Sequence, residues 1–282
     1  MGEQVAIGDA KLWVERTGTG PPVVWCHGGP GMWDYLGPLA ELTDDIATSY
    51  RYDQRACGRS TGEGPFSVAQ FVADLDALRA LFGHERWVVA GHSWGAMLAL
   101  FYALEHPDHT RGLIYVSGVG INPSWRGDFV GNRAQRLGTD LLAEIDGLRK
   151  RAAETGAIED EQAFCELQWS CDYIDREAGR ERARAMLDAG LRVNNAVSAQ
   201  LWQEVQAIAT ADDLVQQVAA LTVPTLVVHG AEDMRPYWPA EELSCLLPKA
   251  RFELIANAAH FPWVEQPQAV GEAVRAFLSN RQ

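Results

Sequence analysis

Three side chains of the types that can together carry out nucleophilic catalysis lie far apart in this sequence. Ser93 is the centre of a Gly-His-Ser-Trp-Gly pentapeptide, Asp233 follows a late apolar run, and His260 follows the last such run. A serine hydroxyl becomes a strong nucleophile when an imidazole takes its proton and a carboxylate holds that imidazole. We therefore predict Ser93 as nucleophile, His260 as general base and then acid, and Asp233 as the orienting carboxylate. Glu232 is the alternative acid, and its longer side chain makes it less suitable.

The residues around Ser93 predict the local geometry that this chemistry needs. An apolar, mostly β-branched run at 88–90 enters the pentapeptide, and a helix-forming run at 96–100 leaves it. A strand, a sharp turn and a helix in this order lift the serine hydroxyl clear of the sheet. Gly91 and Gly95 omit the Cβ atoms that would collide where strand and helix cross.

Two backbone amides are expected to stabilise the negative charge that develops on the substrate oxygen. One belongs to Trp94, directly after the serine. The other comes from the loop His27-Gly28-Gly29-Pro30-Gly31, behind an earlier apolar run. Because glycine lets a carbonyl approach the backbone closely, we predict Gly29 as the second donor and Gly28 as a neighbouring substrate contact.

Alternating strand and helix patterns predict how these residues are positioned. Helical spacing occurs at 67–82, with Ser67 as its N-cap, and at 268–278. A hairpin at 5–7 and 11–16 is followed by apolar runs typical of buried strands at 23–26, 47–52, 87–91, 112–117, 225–228 and 251–255. The alternation predicts an α/β fold with a mostly parallel sheet covered on both faces. The order serine, aspartate, histidine is that of the α/β-hydrolase fold.

Residues 122–220 have a different character, with few strand signals and many Arg, Glu, Ala, Leu and Gln residues. Helical spacing there covers 137–148, 161–173, 180–191 and 197–208. We predict an α/β-hydrolase core made of residues 1–121 and 221–282, with an inserted helical cap at 122–220.

The composition restricts the class of protein. The 282 residues are 47% hydrophobic, enough for a sizeable core. The formal net charge of −14 argues against partners such as nucleic acid or an anionic membrane. Five scattered cysteines predict free thiols in a reducing, cytoplasmic setting. We recognise no signal peptide, membrane span or metal-ligand spacing, and we expect neither a metal nor a cofactor.

Three motifs together resemble the proline iminopeptidase (prolyl aminopeptidase) family of α/β-hydrolases. They are His27-Gly28-Gly29-Pro30-Gly31, Asp53-Gln54-Arg55-Ala56-Cys57-Gly58-Arg59-Ser60 and Gly91-His92-Ser93-Trp94-Gly95. The resemblance implies that the first motif forms the oxyanion loop and that the insertion caps the site. It also implies that acidic cap residues bind the free α-amine of a peptide, from which an N-terminal proline is released.

The sequence departs from the family pattern in three places. Ala56 stands where the family usually has glycine, and the nucleophile motif begins Gly-His rather than Gly-Gly. The cap shows no clear Trp-x-x-Trp-Glu signature, and Glu166-Leu167-Gln168-Trp169-Ser170 is the stretch nearest to it. Asp53 and Arg55 of the second motif are interpreted as a buried structural pair.

Acidic and aromatic side chains of the cap are candidate substrate contacts. The acids that suit an ammonium group are Glu161, Glu166, Asp172 and Asp175. We name Glu166, Trp169 and Trp202 as the cap contacts, together with Phe261 beside the predicted histidine.

Three functions are open on this basis. The first is a serine hydrolase that releases an N-terminal proline or small residue through an acyl-enzyme. The second is the same chemistry on an ester, lactone or other small acyl substrate of secondary metabolism. The third is a ligand-binding protein on a hydrolase scaffold, which the complete set of catalytic residue types makes the least favoured. The expected partner is a small molecule or short peptide, and the sequence leaves the oligomeric state open.

Overall fold

An eight-stranded sheet organises the part of the chain that the computed structural model describes, residues 2–211 and 213–279. The strands are β1 Glu3–Ile7, β2 Ala10–Gly18, β3 Pro22–Cys26, β4 Thr48–Tyr52, β5 Trp87–His92, β6 Thr110–Val116, β7 Thr225–Gly230 and β8 Ala250–Ile255. Their order across the sheet is β1-β2-β4-β3-β5-β6-β7-β8. The β1–β2 and β2–β4 pairs are antiparallel, and the remaining pairs are parallel.

The strands form where the sequence is apolar and bounded by turn residues. All six residues of β5 and of β7 are buried, as expected for central strands covered on both faces. The hairpin between β1 and β2 turns at Gly8, whose φ of +57° is a conformation that glycine adopts without steric cost. The predicted strands therefore agree with the structure, with ends that differ by a few residues.

Helices cover both faces of this sheet. They are α1 Gly37–Ala40, α2 Val68–Leu81, α3 Trp94–Glu105, α4 Trp125–Thr155, α5 Ile158–Ser170, α6 Arg176–Leu187, α7 Asn195–Ile208, α8 Leu214–Ala220, α9 Trp238–Leu246, α10 Pro262–Glu265 and α11 Pro267–Ser279. One buried cluster joins α2, α3 and α9 to one face, and a second joins α1 and α11 to the other. The Ser67 hydroxyl accepts a hydrogen bond from the Gln70 amide at 3.2 Å, so the predicted N-cap is confirmed.

The segment between β6 and β7 holds α4 to α8, where the helix predictions needed the largest corrections. Helix α4 consists of two helical parts joined at Gly138, whose φ of +69° and ψ of +171° are not helical, and together they extend beyond the predicted 137–148 at both ends. Helix α6 begins four residues earlier than predicted, and α8 was not predicted. Helix α5 packs against both α4 and α6, so the ends of these helices depend on tertiary packing. The division of the chain into core and cap remains a prediction.

Among residues 2–211 and 213–279, no helix combines the length and the apolar character that crossing a membrane requires.

Candidate active site

Ser93 lies at the turn between β5 and α3 with φ +57° and ψ −119°, a backbone conformation that costs energy for any residue but glycine. Its amide donates to the Val116 carbonyl at 2.9 Å, which ties the turn to the neighbouring strand. An added Cβ on Gly91 would lie 2.0 Å from the Gly95 oxygen. A Cβ on Gly95 would lie 1.9 Å from the Cys26 oxygen. The two glycines therefore permit the close strand–helix crossing that the pentapeptide predicted.

Asp233 and His260 are brought together from two loops that follow β7 and β8. His260 Nδ1 lies 2.6 Å from Asp233 Oδ2, and both side chains are buried. Burial alone would raise the pKa of Asp233, but the charges of His260 and Arg235 outweigh burial and hold the pKa well below its usual range. Glu232 is exposed, and its carboxylate makes no contact with the imidazole in the described part of the chain.

Ser93 and His260 line one cavity of about 680 Å³. Their side chains do not form a hydrogen bond with each other among the described contacts. Hydrogen bonds between a nucleophile and its base are often long in a site without substrate and tighten when substrate binds. The structure thus places the predicted nucleophile and base in the same cavity, while their catalytic roles remain predictions.

The two predicted oxyanion donors also face this cavity. Gly29 and Trp94 line it, and neither backbone amide donates a hydrogen bond to another described residue. The Gly28 amide, in contrast, donates to the Tyr35 hydroxyl at 2.9 Å. The Gly28 amide is therefore not available to a substrate, and the structure does not support the prediction that Gly28 contacts the substrate through this amide.

A buried hydrogen-bond chain connects the oxyanion loop to the His260 loop. Tyr35 accepts from the Gly28 amide, so its own proton is free to donate to His92 Nδ1 at 2.7 Å. His92 Nε2 then donates to the His260 carbonyl at 2.8 Å. Burial lowers the pKa of His92 well below its usual value, so the ring is neutral and carries the proton on Nε2. Sequence reasoning did not find Tyr35, because its partners are distant in the chain.

The predicted substrate contacts divide into two groups. Trp169, Trp202 and Phe261 line the cavity. Glu166 does not: its carboxylate pairs with Arg184 at 2.8 Å on the cap surface. The prediction for Glu166 was wrong because an arginine on the neighbouring helix α6 draws the carboxylate away from the cavity.

The other cap acids also have partners. Glu161 pairs with Arg192, Asp172 pairs with Arg235 at 2.8 Å, and Asp175 caps the amides at the start of α6. Of these acids, Asp172 lines the cavity. A substrate ammonium would therefore compete with a guanidinium for Asp172, and the other carboxylate of this segment that lines the cavity, Asp146, pairs with Arg149.

Three arginines that sequence reasoning missed also line the cavity: Arg133, Arg149 and Arg235. Arg235, two residues after Asp233, contacts both Asp172 and Asp233. Arg133 on α4 donates to Gln168 Oε1 on α5 at 3.0 Å. The position of Arg235 just after β7 was a usable signal, whereas nothing local marked Arg133 among the many arginines of the cap.

Asp53 and Arg55 are both buried, but they do not pair with each other as predicted. Asp53 binds the Arg59 side chain at 2.7 and 2.8 Å. Arg55 forms a bidentate pair with Asp74 on α2, at 2.8 and 2.7 Å. A tight turn that begins at Arg55, with Ala56 at φ +56°, folds Arg59 back onto Asp53. Ala56 therefore holds the left-handed conformation that glycine prefers.

One trio of metal-ligand types lies elsewhere in the fold. Ligand atoms of Asp76, His106 and His109 are all within 4.8 Å of one another. Asp76 already pairs with Arg79 at 2.8 Å and with His109 Nδ1 at 2.7 Å. None of the three lines the cavity that contains Ser93.

The fold and this cavity define the class of protein. Residues 21–267 match the family model described as the alpha/beta hydrolase fold. The chain belongs to the α/β-hydrolase fold family, and the predicted fold class is confirmed.

Within that family, several relatives are proline iminopeptidases. The chain is 26% identical over 277 residues to that of Heyndrickxia coagulans, covering 94% of this chain and 93% of the relative. It is 28% identical to that of Xylella fastidiosa strain 9a5c, covering 94% and 91%. The resemblance predicted from the three motifs is therefore confirmed.

Solved structures show the same fold in proteins with different activities. A proline iminopeptidase of Mycobacterium smegmatis superposes with a TM-score of 0.74 at 23% identity, covering 100% of this chain and 98% of that one. An enol-lactonase of Burkholderia xenovorans LB400 superposes with a TM-score of 0.71 at 20% identity, covering 98% and 100%. At these identities the likeness shows the fold alone.

Proposed function

We propose that this protein is a serine hydrolase that works through an acyl-enzyme on Ser93. The observation that carries the proposal is the Asp233–His260 contact beside a strained serine, in a cavity that two unengaged amides also face. Each part supports the others, because a hydroxyl needs a base, an orienting acid and an oxyanion site to attack a carbonyl.

In the proposed reaction, Ser93 Oγ attacks the substrate carbonyl while His260 Nε2 takes the hydroxyl proton. The carbonyl oxygen becomes an oxyanion that accepts hydrogen bonds from the Gly29 and Trp94 amides, worth roughly 3 kcal/mol of transition-state stabilisation each. His260 then gives its proton to the leaving group as the tetrahedral intermediate collapses. Water repeats the sequence and releases the acid, and Ser93 regains its proton.

Asp233 supports this cycle electrostatically. It lies against Nδ1, so Nε2 faces the reaction as the basic nitrogen. Asp233 is held ionised by His260 and Arg235, and its negative charge stabilises the imidazolium that forms when Ser93 loses its proton.

For the substrate, we favour an ester, lactone or other small acyl compound. The four cap acids proposed to bind an ammonium are engaged by arginines or by helix amides. The cavity is also lined by aromatic side chains such as Phe129, Trp169 and Trp202, which suit an apolar acyl group. An aminopeptidase that releases N-terminal proline is the second candidate, and the proline iminopeptidase relatives favour it.

Active-site labelling tests the proposed chemistry directly. A fluorophosphonate probe should label the native protein, Ser93→Ala should abolish labelling, and the exposed-site control Ser124→Ala should leave it unchanged. Failure to label the native protein would instead support the ligand-binding alternative.

A substrate panel then separates the two hydrolase candidates. We expect p-nitrophenyl esters to be hydrolysed and proline p-nitroanilide to be a poor substrate. Efficient release of p-nitroaniline from the proline amide would make the aminopeptidase the correct assignment.

A further inference from the structure

The cavity beside Ser93 has an unusual balance of charged side chains. Three guanidinium groups line it, from Arg133, Arg149 and Arg235. Two carboxylates line it, from Asp146 and Asp172. Among the side chains that line the cavity, guanidinium groups therefore outnumber carboxylates by one, in a chain whose formal net charge is −14.

Two of the three arginines are neutralised by aspartates. Arg235 binds Asp172 at 2.8 Å and also Asp233 at 3.2 Å. Arg149 binds Asp146 at 3.1 Å, in a pair whose two side chains are each more than half exposed. Each aspartate on the cavity wall is thus already used by an arginine.

Arg133 is the remaining cation. It is half-buried, and in the described part of the chain it has no carboxylate partner. Its Nη2 donates to Gln168 Oε1 at 3.0 Å. A guanidinium offers five N–H donors in a planar fork, so most of them stay available to another acceptor.

The hydrogen bond to Arg133 also sets the orientation of Gln168. Since Oε1 accepts from the guanidinium, the Gln168 Nε2 amide keeps its two donors for another group. Both side chains line the cavity, one from α4 and one from α5. Adjacent guanidinium and amide donors match the two oxygens of a carboxylate.

We propose that Arg133 and Gln168 form a carboxylate-binding site, so that the substrate is an acyl compound that carries a second, free carboxylate. This proposal rests on the proposed hydrolase function, because the site shares its cavity with Ser93. The aromatic walls, including Phe129 and Trp169, hold the apolar part of such a substrate. The scissile carbonyl lies at Ser93, and the free carboxylate lies against the cap helices.

Because the net charge of the protein is negative, binding of an anion at this site can be distinguished from nonspecific electrostatic attraction to the whole protein. A surface with excess negative charge repels anions and attracts cations at long range. A preference for an anionic substrate would therefore have to come from local contacts. In the same cavity, the carboxylate that an ammonium would need, Asp172, is held by Arg235.

Three matched esters test the proposal. They share the p-nitrophenyl leaving group and a six-carbon acyl chain: p-nitrophenyl hydrogen adipate, its neutral methyl ester, and p-nitrophenyl 6-aminohexanoate. We expect the native protein to hydrolyse the adipate with a kcat/KM at least about tenfold above that of the methyl ester, the scale expected of a charge-assisted hydrogen bond. Equal values, or the highest value for the amine, would overturn the proposal.

Variants assign the preference to one side chain. Arg133→Gln should lower kcat/KM for the adipate by about 10- to 100-fold and leave the methyl ester within about threefold. Arg133→Lys should recover part of the loss, because it keeps the charge but not the planar fork. The control is Arg151→Gln, an exposed arginine on the same helix that does not line the cavity. Loss of the preference in the control, or its persistence in Arg133→Gln, would refute the assignment.

A binding measurement keeps this test separate from catalysis. In the Ser93→Ala protein, adipate should bind by calorimetry, and adding Arg133→Gln should weaken that binding at least about tenfold. If the native protein takes no fluorophosphonate label but adipate binding still depends on Arg133, the hydrolase proposal fails and the carboxylate site stands. If labelling succeeds and adipate binding is unaffected by Arg133→Gln, the carboxylate site is wrong.

Discussion

Tyr35→Phe removes a single oxygen from the chain that links the oxyanion loop to the histidine loop. In the native protein that oxygen accepts from the Gly28 amide at 2.9 Å and donates to His92 Nδ1 at 2.7 Å. The aromatic ring, which packs edge-on against His92 and Phe261, is retained. The variant therefore isolates the hydrogen bonds from the packing.

The expected cost follows from the two groups that lose their partner. Each buried polar group left unsatisfied costs about 1–3 kcal/mol, so the two together should lower the free energy of unfolding by about 2–6 kcal/mol. The upper part of this range applies if cavity water cannot replace the hydroxyl. Because Gly28 precedes Gly29, the variant should also lower kcat for ester hydrolysis more than it raises KM.

Urea denaturation and ester kinetics provide the measurements. The matched control is Tyr237→Phe, which removes the same atom from a side chain that is 39% exposed and whose hydroxyl makes no hydrogen bond to the described residues. Surface changes of this kind usually stay within about 0.5 kcal/mol. If Tyr35→Phe proves as stable and as active as Tyr237→Phe, the hydrogen-bond chain has no positioning role.

Three further changes have expected outcomes. Gly91→Ala should prevent folding, seen as loss of soluble protein, because the added Cβ would lie 2.0 Å from a backbone oxygen. The control Gly127→Ala should fold normally, because its added Cβ meets nothing within 4 Å. Burial lowers the pKa of His27 to about 4, so the unfolded chain binds this proton at a higher pH than the folded protein does. Acidification from pH 7 to 4 should therefore lower the free energy of unfolding by about 3 kcal/mol. Urea denaturation of His27→Gln should lack this loss. Asp74→Asn removes the bidentate partner of the buried Arg55 charge, which keeps only its contact with the more exposed Asp9, and should lower the free energy of unfolding by up to about 3–5 kcal/mol, measured the same way.

Much of the fold was predictable because the rules that set it act over a few neighbouring residues. Continuous apolar runs marked β5 and β7 as central strands, and the spacing of apolar residues after Ser67 marked α2. The helices between β6 and β7 were less predictable. Gly138, at φ +69° and ψ +171°, is not helical and divides α4 into two helical parts, a break that the pattern of apolar residues did not predict.

The candidate site divides in the same way. Ser93 was identifiable from its own pentapeptide, and Asp233 and His260 from their places after strands. Glu166 was assigned wrongly, because its side chain follows a partner 18 residues away rather than its helix position. Asp53 and Arg55 were wrongly paired, because the turn that begins at Arg55 brings Arg59 onto Asp53, while Arg55 binds Asp74 on α2.

Local sterics and periodicity were enough to predict the strands, the strained turn at Ser93 and the serine–aspartate–histidine order from the sequence. The neutralisation of charges in the cavity, in contrast, is visible only in the folded protein. The positions of Arg133, Asp172 and Arg235 in the sequence do not reveal their pairing, because an ion pair depends on distances between side chains of separate elements. That pairing leaves Arg133 without a carboxylate partner among the described residues, and so it decides the substrate that we propose.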